Sequence, residues 1–218
     1  MTTKEVALLQ RYLLKADSYL EYGSGRSTAL ASSISSIRHI VSVESDVKFV
    51  EEHVAIHPEV KQAIADDRLR FDFVNIGPTG LWGHPTDKSK RHMWPSYPLG
   101  CLQERRWNLV LVDGRFRVAC CLAAALELPP ESIILLHDFY RPEYHFVLKF
   151  MEQVTREDNL VQLRLRANAN RAAVQSAIGN YQYIPGDCTK SRVIFRKIKQ
   201  KLGMKDYQNA PTRESQQG

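Results

Sequence analysis

A chain of 218 residues, 44% of them hydrophobic, is long enough for one domain with a sizeable core. It holds no run of about 18 apolar residues, which argues against a membrane-spanning helix, and Met1-Thr2-Thr3-Lys4-Glu5 lacks the charged-then-apolar pattern of a secretory signal. The net charge of +6 gathers near the C-terminus, and Cys101, Cys120, Cys121 and Cys188 form no C-x-x-C pair, so reduced thiols in a cytoplasmic protein are expected.

Ala7, Leu8, Leu9, Tyr12, Leu13 and Leu14 recur at helical spacing and predict a helix from Val6 to Ala16. Ser18 to Tyr22 reads as a short strand, Ser27 to Ser36 as a helix, and His39 to Val43 as a second strand. Val47 to Ala65 is helical with a break at Pro58. Leu69 to Asn75 alternates apolar and polar residues and reads as strand three. Trp107 to Val112 is strand four, Arg117 to Leu128 an alanine-rich helix stopped by Pro129-Pro130, and Ser132 to Leu136 strand five. Tyr144 to Thr155 reads as a further helix. Leu160 to Arg166 and Arg192 to Lys197 are late strand candidates, and the stretch Asn170 to Tyr183 between them is ambiguous. Strands alternating with helices predict an α/β, doubly wound, mostly parallel sheet. One domain is expected over residues 1–200, with a polar, flexible tail over 201–218.

Such sheets bind ligands beyond the C-terminal ends of their strands. There the chain places Glu21, Glu44, Asp113 and the pair His137-Asp138. A single acid at a strand end is often a turn or cap residue, but four strands ending this way at one edge point to a site. The first of these ends carries Glu21-Tyr22-Gly23-Ser24-Gly25-Arg26-Ser27-Thr28. Gly23 and Gly25 permit a tight turn and close approach of a ligand, and a helix start follows with unpaired amides. Two ligand classes compete for this turn. A dinucleotide fingerprint wants a third glycine where Thr28 stands, and its pyrophosphate would be repelled by Glu21. S-adenosylmethionine has no phosphate and carries an ammonium and a sulfonium, which suit an acid.

On these residues the stretch from Ser18 to Arg166 resembles the class I, Rossmann-like S-adenosylmethionine-dependent methyltransferase superfamily, in style the small-molecule O-methyltransferases. The resemblance implies a seven-stranded sheet with an antiparallel C-terminal strand. It implies cofactor contacts from Glu21, Gly23, Ser24, Gly25, Ser27 and Thr28. Glu44, nineteen residues after Gly25, would take the ribose hydroxyls with Ser45 beside it, and Asn75 would lie near the adenine. Asp113 would line the floor by the methyl donor. Some relatives hold Mg²⁺ between acids after strands four and five, where Asp113 and Asp138 stand. Phe139 replaces the asparagine of that pattern, so the metal set is one ligand short. Without metal, His137 is the candidate general base, and Asp113, His137 and Asp138 form the catalytic set. A structural His-Asp pair capping the strand is the alternative.

The connection from Gly77 to Arg106 is long for a compact domain and reads as a lid. Trp82, His84, Arg91, Trp94 and Tyr97 would meet a small polar acceptor, joined by Arg115 after strand four. The alternative is a loop whose aromatics pack on the domain, with Arg115 and Arg117 as surface charges. Lys190, Arg192, Arg196, Lys197, Lys199, Lys201 and Lys205 crowd the chain's end without a nucleic-acid-binding signature, so they are read as a solvated face. Two other function classes stay open: a catalytically silent binding protein on the same fold, and a dinucleotide oxidoreductase.

Overall fold

The structure is a computed structural model that describes residues 1–80 and 83–188. Trp82, the strand candidate Arg192–Lys197, the basic run from Lys190 and the tail 201–218 lie outside the described residues. Residues Met1–Asp187 form one compact unit.

Seven strands make one sheet in the order β3-β2-β1-β4-β5-β7-β6. Strands β1 (Ser18–Tyr22), β2 (His39–Glu44), β3 (Leu69–Phe73), β4 (Leu109–Val112) and β5 (Ile133–Leu136) are parallel. Strand β7 (Leu160–Leu165) runs antiparallel to β5 and to β6 (Met151–Glu157). The seven-stranded α/β sheet with a reversed C-terminal strand is therefore as expected, but the reversed pair is built differently. Its second member is Met151–Glu157, inside the stretch expected to be helical, and only a 3₁₀ segment, Pro142–Lys149, precedes it. Met151-Glu152-Gln153 favours helix by propensity, whereas Val154 and Thr155 favour strand and Asp158, at φ 48°, closes a hairpin.

Helix α1 (Thr3–Leu13) begins three residues before its first apolar repeat. Thr2 and Glu5 form a capping box, which starts the helix there. Helix α2 (Arg26–Ser32) follows the glycine turn. The Val47–Ala65 stretch divides as expected near Pro58: α3 (Val47–Phe49) runs on into a π-helical turn over Val50–Val54, and α4 (Pro58–Ala65) takes Pro58 into its first turn. Helix α5 (Ser96–Leu99) lies within the long connection. Helix α6 (Arg117–Glu127) is buried along most of its length, and α7 (Arg171–Tyr181) fills the ambiguous stretch.

Alternation along β1 divides the core. Leu20 and Tyr22 join the cluster containing α6, while Tyr19 joins the cluster containing Leu8, Leu9 and Leu13 of α1. Both faces are covered, which is why β1 and β4 are buried throughout. The turns after β1 and β4 touch. Gly23 has φ 92°, and a Cβ there would come 2.6 Å from the Gly114 Cα, so only glycine lets the two strand ends close.

Candidate active site

Asp113 and His137 meet as the strand order predicts, since β4 and β5 are neighbours. His137 Nδ1 lies 3.0 Å from Asp113 Oδ1, and its Nε2 lies 3.2 Å from Glu5 Oε2. Glu5 comes from α1 and is fully buried, and its other oxygen accepts from the Asn159 amide. Burial alone would lower the His137 pKa, but the hydrogen bond and charge of Asp113, then Asp138 and Glu5, raise it overall. His137 thus lies between two carboxylates, which can only accept, so its surroundings favour the protonated ring. That corrects its role as a free general base, because both ring nitrogens are committed.

Arg117 completes this group. Its guanidinium donates to the carbonyls of Gly114 (2.9 Å), His137 (2.9 Å) and Asp113 (2.7 Å). It also pairs with Asp113 Oδ1 at 3.1 Å and Asp138 Oδ2 at 3.3 Å, and its side chain is 4% exposed. Burial opposes its charge, and Asp113, Tyr144 and Asp138 more than offset that, so its pKa is raised. Burial would likewise lift Asp113, yet His137 and Arg117 hold it below the usual carboxylate range. Arg141 reaches Asp138 Oδ2 from the other side at 3.3 Å. Asp138 itself sits at φ 58°, a conformation that aspartate tolerates better than most residues.

Ligand atoms of Asp113, His137 and Asp138 lie within 4.8 Å of one another. A hard divalent cation wants oxygen ligands free to bind it. Here Arg117 already holds one oxygen of each aspartate, and both ring nitrogens of His137 face carboxylate oxygens. The set does not fit Mg²⁺.

The glycine turn departs from expectation in one respect. Glu21 points below the turn: it is fully buried and accepts from Tyr19 (3.0 Å), Ser27 (2.8 Å) and Thr28 hydroxyls. The side chains of Glu21, Ser27 and Thr28 therefore brace the start of α2 by bonding one another. Burial pushes the Glu21 carboxyl up to about 7 against those donors. The upper surface is made by Ser24, Gly25 and Glu44. A Cβ on Gly25 would meet nothing within 4 Å, so open space lies above it. Half-buried Glu44 accepts from the Ser24 amide at 3.1 Å through Oε2 and from the Ser45 amide at 2.6 Å through Oε1. Ser24 Oγ shares a hydrogen with Ser42 at 2.7 Å. Asn75 is exposed, and its Oδ1 accepts from the Gly77 amide at 3.0 Å as a turn cap.

The connection after β3 contributes in two unlike ways. Trp94 and Tyr97 are core residues, which corrects their reading as substrate contacts. Trp94 is 3% exposed and donates to the Ile76 carbonyl; Tyr97 is 1% exposed and packs against Phe116 with ring centroids 5.5 Å apart and planes tilted by 49°. Tyr97 Oη also accepts from the Arg115 amide at 3.3 Å. The earlier part of the connection reaches over the strand ends. Thr79 bridges Pro85, and His84 Nε2 meets Arg115 Nη1 at 2.8 Å. Arg91 lies 4.2 Å over the Tyr183 ring. After α7 the chain returns to this edge, where Asp187 accepts from the Arg117 and Val118 amides at 3.0 Å each and caps α6. Burial raises the Asp187 carboxyl to about 7 in spite of those two amides and Arg117.

These groups set a pH dependence. Glu21 and Asp187 ionise at about pH 4 in the unfolded chain but hold protons to about 7 when folded. Between those values the folded state binds more protons, so stability falls as pH rises. His137, raised above 6.5, adds a contribution present at low pH and lost as pH passes its folded value. The lowered His84 and His39 act oppositely, but only below 6.5. Scanning calorimetry should give a Tm a few degrees lower at about pH 8 than at about pH 6.5. A flat or rising profile contradicts these assignments.

Glu5 and the capping role of Asp187 were not foreseen from the sequence. Thr2-x-x-Glu5 is a capping-box signature that marks Glu5 as ordered, though not that it reaches His137. No helix among the described residues is long and apolar enough to cross a membrane.

No family model matches the sequence, and no curated protein does. Among solved structures, a methyltransferase-like protein of Silicibacter pomeroyi is similar over 85% of this chain and 96% of its own, at 29% identity and TM-score 0.72. More distant likenesses include a TDP-rhamnose 3'-O-methyltransferase of calicheamicin biosynthesis, at 14% identity and TM-score 0.47 over 74% of this chain and 79% of that one. An RNA methyltransferase of Salinibacter ruber in complex with S-adenosylhomocysteine is 18% identical at TM-score 0.42, over 78% of this chain and 95% of that one. With this strand order, and with the likeness to the methyltransferase-like protein, the chain has the fold of the class I, Rossmann-like S-adenosylmethionine-dependent methyltransferases.

Proposed function

We propose that the protein transfers a methyl group from S-adenosylmethionine to an oxygen of a small polar acceptor. The observation that carries this reading is the open space above Gly25 beside the Glu44 carboxylate. A ligand seated there rests against backbone with no side chain in the way, and the remaining lone pairs of Glu44 accept from ribose hydroxyls. Bound there, S-adenosylmethionine supplies a methyl on a sulfonium, open to in-line displacement. The chain's own task is then largely alignment. Asp113 sits on the floor at the end of β4, held by Arg117 and His137. With both His137 nitrogens engaged by carboxylates, Asp138 is the group to orient the acceptor hydroxyl and take its proton as the new C–O bond forms.

A second reading has its own support. Asp113, His137, Glu5 and Arg117 satisfy one another, which suits a silent binding protein on the same fold. Titration calorimetry with S-adenosylhomocysteine and with NADH tests the ligand class: the former is expected to bind and the latter to stay silent. Absence of S-adenosylhomocysteine binding defeats both methyltransferase-fold readings. Transfer of labelled methyl to components of a small-molecule extract then separates turnover from silent binding.

A further inference from the structure

Among the described residues, one cation at this edge has no carboxylate in an ion pair with it. Arg117 and Arg141 pair with Asp113 and Asp138, and His137 lies between Glu5 and Asp113. Arg117, Arg141 and His137 thus share Glu5, Asp113 and Asp138, and the fourth acid of this edge, Asp187, is taken up by the Arg117 and Val118 amides, though the charge of Arg115 reaches it. That leaves Arg115, a half-buried side chain at the turn after β4. Among the described residues no ion pair joins its guanidinium to a carboxylate, and it meets instead His84 Nε2, at 2.8 Å. A partly desolvated guanidinium facing a neutral ring is an unusual use of charge, because a carboxylate partner would be worth more.

That contact also fixes His84. A guanidinium can only donate, so Nε2 accepts and the ring proton sits on Nδ1. Partial burial, then the charges of Arg115, Arg141 and Arg117, lower the His84 pKa and keep the ring neutral. Its Nδ1–H is therefore a fixed donor rather than a base. Gly186 packs against this side of the ring, where a Cβ would come 3.1 Å from Cε1 and 3.8 Å from Nδ1, and among the described residues no hydrogen bond is made by Nδ1. Lid and floor together present a guanidinium and a neutral N–H donor, a pairing that suits an oxyanion.

We propose that Arg115 and His84 bind an anionic oxygen group, carboxylate or phosphate, on the acceptor. This rests on the methyl-transfer reading for its site, and it narrows the acceptor from polar to anionic. The same chemistry could serve the carboxylate of the methyl donor, so the test must tell the two apart.

The test is titration of inorganic phosphate and of acetate, at constant ionic strength, into protein with and without saturating S-adenosylhomocysteine. The readouts are the ¹⁵N resonances of the His84 imidazole and the Arg115 guanidinium. At least one oxyanion should shift both resonances saturably with S-adenosylhomocysteine bound, and the better of the two identifies the group. Arg115→Gln should weaken that binding about tenfold, ~1.4 kcal/mol. Arg164→Gln, a charge removed from a strand position paired with Glu152, should leave it unchanged. Oxyanion binding that S-adenosylhomocysteine abolishes assigns Arg115 to the donor and overturns the proposal. So does the absence of saturable shifts, or equal weakening by the two variants. If S-adenosylhomocysteine itself fails to bind while the oxyanion still titrates, the methyl-donor reading falls and the anion site stands.

Discussion

Gly25→Val should abolish binding of S-adenosylmethionine while leaving the fold intact. Gly25 has φ 167°, extended backbone that any residue adopts, so the substitution carries no left-handed strain. A Cβ there meets nothing within 4 Å of the protein. The two branches of valine would instead enter the space assigned to the ligand, where overpacking costs ~1–3 kcal/mol. Calorimetry should show at least about a hundredfold loss of affinity for S-adenosylhomocysteine, ~2.7 kcal/mol. The Tm without ligand should stay within about a degree or two of the parent, as expected for an exposed change. Unchanged affinity would place the ligand elsewhere. Gly23 makes a poor substitute for this test, since its Cβ would strike the Gly114 backbone and a loss of binding would follow from misfolding.

The contrast between these two glycines shows how far the sequence could be read. Both belong to one motif, and period and strand-end position located that motif correctly on the turn after β1. The motif does not say that Gly23 serves a protein contact and Gly25 an open space, because that depends on the β4 turn 90 residues away in the chain. Glu21 makes the same point more sharply. Its charge favoured S-adenosylmethionine over a dinucleotide on the assumption that it faces the ligand. The carboxylate in fact lies beneath the turn among Tyr19, Ser27 and Thr28 hydroxyls, so it offers no electrostatic discrimination between those ligands at the turn's upper face. The proposal about ligand class now rests on Gly25 and Glu44, set on the fold shared with the Silicibacter pomeroyi protein. Strands β1 to β5 were legible because each is a short apolar run ending at a turn signal. Strand β6 was not, because its burial is partial and its polar residues fit a helix equally well. Trp94 and Tyr97 were read as ligand contacts because a long connection usually lies outside the core. This one folds its second half back into it, beneath the β4 turn.

Replacing Arg117 should cost more stability than any other change at this edge. Its buried guanidinium holds three carbonyls and two carboxylates, and its charge lies 5.0 Å from the Tyr144 ring centre. Arg117→Met keeps most of the volume, takes this donor from three carbonyls, and leaves Asp113 to His137 and Asp138 to Arg141. Removing one partner of a buried ion pair costs ~3–5 kcal/mol, because the remaining charge stays buried and unpaired. At ~2–4 °C per kcal/mol for a chain of this size, Tm should fall by about 10 °C. Arg117→Lys should recover part of that loss, since a single ammonium can meet the carboxylates but cannot span all three carbonyls. The variant also tests why the Asp113, His137 and Asp138 group does not fit a metal. With the guanidinium gone, Oδ1 of Asp113 keeps only His137 and Oδ2 of Asp138 only Arg141, so each loses one of its two cationic partners. Millimolar Mg²⁺ should then raise the Tm of Arg117→Met and leave that of the parent unchanged. An equal rise in both proteins would mean that the arginine does not occupy the cation's place. If the Tm of Arg117→Met instead matched the parent, Asp113 and His137 would have to hold the edge by themselves, and the balance of charge on which the Arg115 proposal depends would have to be redrawn.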